Sequence, residues 1–204
     1  MTWKRETEER AAAILARYPE KRSAVMPLLY LAMHEDGSLT NEGMRRVAEL
    51  TGLSSAQVQS VASFYTMYKR DGVGKYLIST CTSISCMLLG GDDVLAAIAE
   101  ETGVSDGETG DDGVFSVEHA ECIGACGGAP AVQVNYELIE GVTPEQGREL
   151  CRWLRGEQPE TVLGDDLQER FGGGRSFDWG PVETEGAVGA FPAFGPLGTT
   201  GEGS

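Results

Sequence analysis

No lysine or arginine occurs between Tyr76 and Gly147, a stretch that holds 13 acidic residues. A phosphate backbone is repelled by such a region, so nucleic acid is not expected as a partner. No run of about 18 apolar residues exists, and direct membrane insertion is not expected either. The opening residues, MTWKRETEER, are charged and lack the apolar stretch of a secretory leader. The chain is therefore expected in a reducing, cytoplasmic compartment. Its five cysteines then point to metal or redox chemistry more than to disulfides. Histidine is scarce: His34 and His119 are the only two, and His34 falls in a helical pattern far from the cysteines. A Rieske-type centre, which needs two histidines beside two cysteines, is not expected. The C-x-x-C of a thioredoxin-type dithiol is absent as well, and no internal repeat is evident.

What is present falls into three regions. Residues 1–74 read as a helical domain with 11 basic and 9 acidic residues over 1–75, close to neutral. Helices are expected over 7–18, stopped by Pro19, over 23–34, ending at Asp36-Gly37, and over 41–51, with Thr40 as N-cap and Gly52 as the stop. A fourth begins at Ser54, where Gln57 three residues on makes a capping box. Two helices joined at Gly52, with the basic pair Arg45 and Arg46, also resemble a helix-turn-helix, but a plain bundle is favoured. From 75 the pattern changes to β-α-β-β-α. Strands are expected over 75–80, 114–121, 131–135 and 137–142. Helices are expected over 92–102 and from Thr143-Pro144, with Gln146 completing a second capping box. Residues 156–204 carry 12 Gly, 4 Pro and 9 acidic against 2 basic residues, and are expected to form a flexible, dispensable tail. A second reading of that tail uses Phe177, Trp179, Phe191 and Phe194 as anchors for a partner.

Four cysteines come in two pairs, Cys81-x4-Cys86 and Cys122-x3-Cys126, each just after an expected strand in a loop of small residues. Thiolates from two loops at one sheet edge suit an iron–sulfur cluster. Small residues, here Gly124, Gly127 and Gly128, let backbone N–H groups approach the sulfurs. A structural zinc site also uses four thiolates, but usually at C-x2-C spacing. Plant-type ferredoxins share the x4 spacing but close with C-x2-C. Cys151 shares helical spacing with Gly147, Leu150 and Leu154 and is expected to be a core thiol.

The segments YPEKRSAVMPLLYLAMHEDG, VASFYTMY, CTSISCMLLGG and ECIGACGGAPAVQVN together resemble one family. It is the thioredoxin-like 2Fe-2S subunit of NADH:quinone oxidoreductase, respiratory complex I, also called the E or 24-kDa-type subunit. The likeness covers about residues 8–155. It implies an α+β fold, with an N-terminal helical domain followed by a thioredoxin-like domain over 75–155. It implies one 2Fe-2S cluster, with Cys81 and Cys86 on one iron and Cys122 and Cys126 on the other. It further implies a position on the peripheral arm, beside other arm subunits, docked on the flavin-bearing NADH-binding subunit, whose flavin would supply single electrons. The same module in a soluble NAD-linked hydrogenase or formate dehydrogenase is the alternative, and a zinc-stabilised interaction module is a third reading.

Overall fold

The computed structural model describes residues 3–176 and 188–189. The chain divides into two compact units at Gly72/Val73. In the first, α1 (Arg5–Ala16), α2 (Val25–Asp36), α3 (Asn41–Thr51) and α4 (Ser55–Phe64) follow one another. Their starts are set by local chemistry. The Thr40 side chain accepts the Gly43 N–H at 2.9 Å, and Ser54 and Gln57 close the expected capping box. α2 and α3 stop where Gly37 and Gly52 adopt the left-handed conformation. α2 is apolar nearly all round, so Leu28, Leu29, Leu31, Ala32 and Met33 are all buried. The basic pair is engaged by carboxylates: Arg46 bridges Glu8 and Glu49, and Arg45 pairs with Glu42.

The second unit is built on a five-stranded sheet in the order β2-β3-β1-β4-β5. The strands are β1 (Tyr76–Cys81), β2 (Glu108–Thr109), β3 (Phe115–Ala120), β4 (Ala131–Val134) and β5 (Glu137–Glu140). β1 lies at the centre, buried throughout its length. β3 pairs with it in parallel, from Tyr76 opposite Phe115 to Cys81 opposite Ala120. β4 pairs with it antiparallel, and β5 returns as a hairpin. That hairpin turns on Asn135 and Tyr136, both at positive φ, as a two-residue turn of primed type demands. Helices α6 (Gly91–Thr102) and α7 (Pro144–Glu157) pack together. The core gathers Ile78, Val94, Ile98, Phe115, Val132 and Leu150. Thr143 and Gln146 form the second capping box, with Pro144 at the first helical position.

Three elements depart from the expectation, the first being β2, a two-residue edge strand beyond the four strands expected. A five-residue helix, α5 (Ile84–Leu88), stands between Cys81 and the start of α6 and carries Cys86. The flexible tail expected from residue 156 does not begin there. β6 (Thr161–Val162) and α8 (Gly164–Phe171) fold back onto the unit, α8 against β5 and α7, and β6 pairs with β7 (Val188–Gly189). The physical reason is that Val162, Leu167 and Phe171 are buried in the main core. They supply apolar area that the Gly-rich average of the region conceals. Phe177, Trp179, Phe191 and Phe194 lie outside the described residues.

Candidate metal centre

Because β1 and β3 are parallel neighbours, their C-terminal ends emerge at one sheet edge. Cys81 is the last residue of β1, and Cys122 follows β3 by two residues. The ladder runs one step further, with Thr82 N–H donating to the Ala120 carbonyl at 3.0 Å, so the two loops leave the sheet tied together. Cys86 sits in the middle of α5, and Cys126 opens a 3-10 turn over Cys126–Gly128. Gly124, between the second pair, has φ of +91°, a conformation that favours glycine.

Cys81 and Cys86 are buried side by side, at 3% and 2% exposure, and pack with Ala131, Ile123 and Ala129 in a small apolar cluster. Burial pushes the Cys86 thiol up to about 11; the Ala131 N–H opposes that shift, while a hydrogen bond with Cys81 and the proximity of Cys81 and Cys126 add to it. Cys122 and Cys126 are exposed, and all five cysteines are free thiols. Among the described residues no three His, Cys, Asp or Glu side chains converge tightly enough for a single metal ion. The arrangement is two pairs of thiols on two tethered loops. That donor set fits a 2Fe-2S cluster, in which four thiolates are shared between two irons. A buried thiol of raised pKa gives up its proton when a cation takes its place, so such binding releases protons.

Cys151 is apart from these four. It lies in the main core at 1% exposure, and burial pushes its thiol up to about 12. His119 stands near the site but hydrogen-bonds Asp106 through Nδ1 at 2.8 Å.

Sequence reasoning missed two contributors. Gly91, the first residue of α6, lies against the cysteine loop: a Cβ there would come within 2.6 Å of the Cys81 carbonyl oxygen and 2.9 Å of that of Cys86. The second is the Ala131 N–H, which reaches the Cys86 sulfur. Gly127 and Gly128 also leave room for neighbouring side chains. Ser176 lies on the first, and the Glu140 side chain on the second. A small residue directly after a left-handed glycine, as in Gly90-Gly91, was the available signal.

The chain has relatives among NADH-quinone oxidoreductase subunits. It is 46% identical over 150 residues to the E subunit of NADH-quinone oxidoreductase from Mycobacterium tuberculosis, covering 74% of this chain and 60% of that protein. It is 38% identical over 143 residues to NADH-quinone oxidoreductase subunit 2 of Thermus thermophilus, covering 69% and 79% of the two chains. Among solved structures, an NAD+-reducing [NiFe]-hydrogenase in its air-oxidized state shares the fold, with a TM-score of 0.56 at 18% identity, over 64% of this chain and 23% of that one. The chain thus spans 60% of the length of its mycobacterial relative. Residues 11–155, which hold the parallel β1/β3 pair and all four loop cysteines, match a single family over their whole length, and the chain belongs to it: the thioredoxin-like [2Fe-2S] ferredoxins.

Proposed function

We propose that the chain is the electron-transfer subunit of an NADH:quinone oxidoreductase, and that Cys81, Cys86, Cys122 and Cys126 hold its one 2Fe-2S cluster. The carrying observation is the convergence of both cysteine loops at the C-terminal edge of the parallel β1/β3 pair. When bound, such a cluster takes up and returns one electron at a time. The residues of the chain do the rest. β1 and β3 fix the spacing of the two loops, Gly91 admits the backbone of the first, and the apolar cluster around Cys81 and Cys86 keeps water from one pair of sulfurs. The relatives named as NADH-quinone oxidoreductase subunits support membership of such an assembly; in our reading the flavin-bearing NADH-binding subunit is the electron donor and other peripheral-arm subunits lie around it. A contact surface for that donor is available beside the site: Ile84 and Leu88 of α5, the helix that carries Cys86, are 71% and 73% exposed. Apolar side chains left in water next to a redox site suit a docking face.

A second reading, the same module in a soluble NAD-linked hydrogenase, rests on fold likeness alone. Affinity purification of the full chain from its own cells distinguishes them. Co-purification with a flavoprotein and quinone-reducing activity supports the first reading, whereas co-purification with a nickel-containing subunit supports the second. A flavoprotein that binds the chain but, when reduced by NADH, leaves its visible absorbance unchanged would contradict both.

A further inference from the structure

The four-residue segment Gly173–Ser176 lies beyond the region matched to the family, which ends at residue 155, and yet it touches the loop that carries Cys126. We propose that Glu140 and Ser176 form a brace that positions this loop, and that Glu140 is a positioning residue for the cluster. This rests on the assignment of Cys126 as a ligand made above.

Glu140 ends β5, at 3% exposure. A carboxyl group is rarely buried to that degree unless something holds it. Its Oε1 accepts hydrogen bonds from the Ser176 N–H, at 3.3 Å, and from the Ser176 hydroxyl. Its side chain, carboxyl group foremost, lies on the backbone of Gly128, two residues past Cys126: a Cβ on Gly128 would meet the Glu140 Oε1 first and would sit 2.6 Å from its Cδ and 2.7 Å from its Cβ. Ser176 covers the preceding residue, for a Cβ on Gly127 would meet the Ser176 Cβ at 2.7 Å. The two glycines thus form a floor on which the Glu140–Ser176 pair is seated. The Gly128 carbonyl also accepts the Gly141 N–H at 2.6 Å, so the loop is tied to the end of β5 by backbone as well.

The brace has its own anchor. Gln168 of α8, itself buried, accepts the Glu140 N–H at 2.7 Å through Oε1 and donates Nε2–H to the Glu140 carbonyl at 3.1 Å. Its side-chain amide thus occupies the open edge of the sheet beside β5, where a further strand would pair. The same Nε2 reaches the Gly173 carbonyl at 3.1 Å, and the Gly173 N–H returns to the Glu140 carbonyl at 2.8 Å. Cys81 and Cys86 are fixed by strand, helix and burial, whereas Cys122 and Cys126 are exposed on a loop. That loop is the half of the site that needs outside support, and groups that orient ligands in this way carry a substantial part of a metal site's affinity.

The test uses the full chain with its cluster, in four forms: unaltered, Ser176→Ala, Glu140→Ala and Glu140→Gln. Each is scored by the rate of iron loss to a chelator, the electron paramagnetic resonance spectrum after reduction, and the thermal midpoint. The brace predicts iron loss roughly 10–100-fold faster in Ser176→Ala and Glu140→Ala, with an altered spectrum. In Ser176→Ala, which removes one hydroxyl at the surface, the thermal midpoint should hardly move. Glu140→Gln keeps an oxygen acceptor for Ser176 and a side chain of the same shape over Gly128, and should return iron loss close to the unaltered rate. Unchanged iron loss and an unchanged spectrum in Ser176→Ala overturn the brace, even where Glu140→Ala fails to fold. So does a Glu140→Gln chain that loses iron as fast as Glu140→Ala. An unaltered chain that carries no iron overturns instead the ligand assignment, and the brace with it.

Discussion

Gly91→Ala separates local helix preference from the packing of the cysteine loop, because the two predict opposite signs. Alanine is favoured over glycine in a helix by up to about 1 kcal/mol, so a residue judged only as the start of α6 should gain stability. The structure predicts a loss. The added methyl would stand 2.6 Å from the Cys81 carbonyl oxygen, 2.9 Å from the Cys86 carbonyl oxygen and 3.0 Å from the Cys86 carbonyl carbon. These are backbone atoms, so relief requires moving the chain that carries both thiols. Overpacking against backbone atoms typically costs about 1–3 kcal/mol, and at the middle of that range it outweighs the helix term and leaves a net loss of about 1 kcal/mol. Gly156→Ala is the matched control. It lies in the last turn of α7 with open space around the new methyl, so it should gain about 0.5–1 kcal/mol. The assay is a thermal scan under anaerobic conditions, following ellipticity and cluster absorbance together at one fixed rate, since loss of iron makes unfolding irreversible. A destabilisation of about 1 kcal/mol lowers the midpoint of a chain of this size by roughly 2–4 °C. A Gly91→Ala midpoint equal to or above that of the parent would refute the reasoning that α6 is pressed against the cysteine loop.

Three further outcomes concern the site and its charges. Cys151→Ala should leave the visible spectrum intact at a cost of roughly 1 kcal/mol, because it deletes only a small group from the main core, whereas alanine at Cys81, Cys86, Cys122 or Cys126 should remove the absorbance of the cluster. His119 is held above its ordinary pKa by its hydrogen bond to Asp106 and by that carboxylate's charge. Its contribution is fully present below the unfolded pKa of about 6.5 and is lost as pH rises through the folded value. The difference in stability between the parent and His119→Gln should therefore shrink from pH 5.5 to 8.5, by no more than about 0.5 kcal/mol since the pair is half exposed. Finally, Glu118→Gln and Glu121→Gln each remove a negative charge near the cysteine loops, and redox titration should show a higher potential in each, with added salt raising the parent's potential toward theirs.

The parts of this structure that were legible in the sequence are those governed by neighbours in the chain. The capping boxes Ser54/Gln57 and Thr143/Gln146 and the stops at Gly37 and Gly52 are complete within a few residues. The cysteine pairs were legible because each follows a strand, and strands that end in loops at one edge need only be neighbours to bring them together. Helix α5 was not, for five residues give no periodicity, and its apolar side chains Ile84 and Leu88 face water instead of a core. The folded segment around α8 was obscured by its setting. Val162, Leu167 and Phe171 are few among glycines and acidic residues, and only the three-dimensional position of β5 shows what they cover. Glu140 reads as an ordinary strand carboxylate, and its burial depends on a serine 36 residues away.

The central claim, that two tethered thiol pairs hold a 2Fe-2S cluster, is tested most directly by visible absorption and electron paramagnetic resonance of the purified full chain before and after reduction, with iron and sulfide counted against protein. The account predicts a red-brown chain with two irons and two sulfides, silent when oxidised, that gains a single-electron signal on one-electron reduction. A colourless chain containing zinc, or a cluster signal that survives replacement of both Cys81 and Cys126 by alanine, would contradict it.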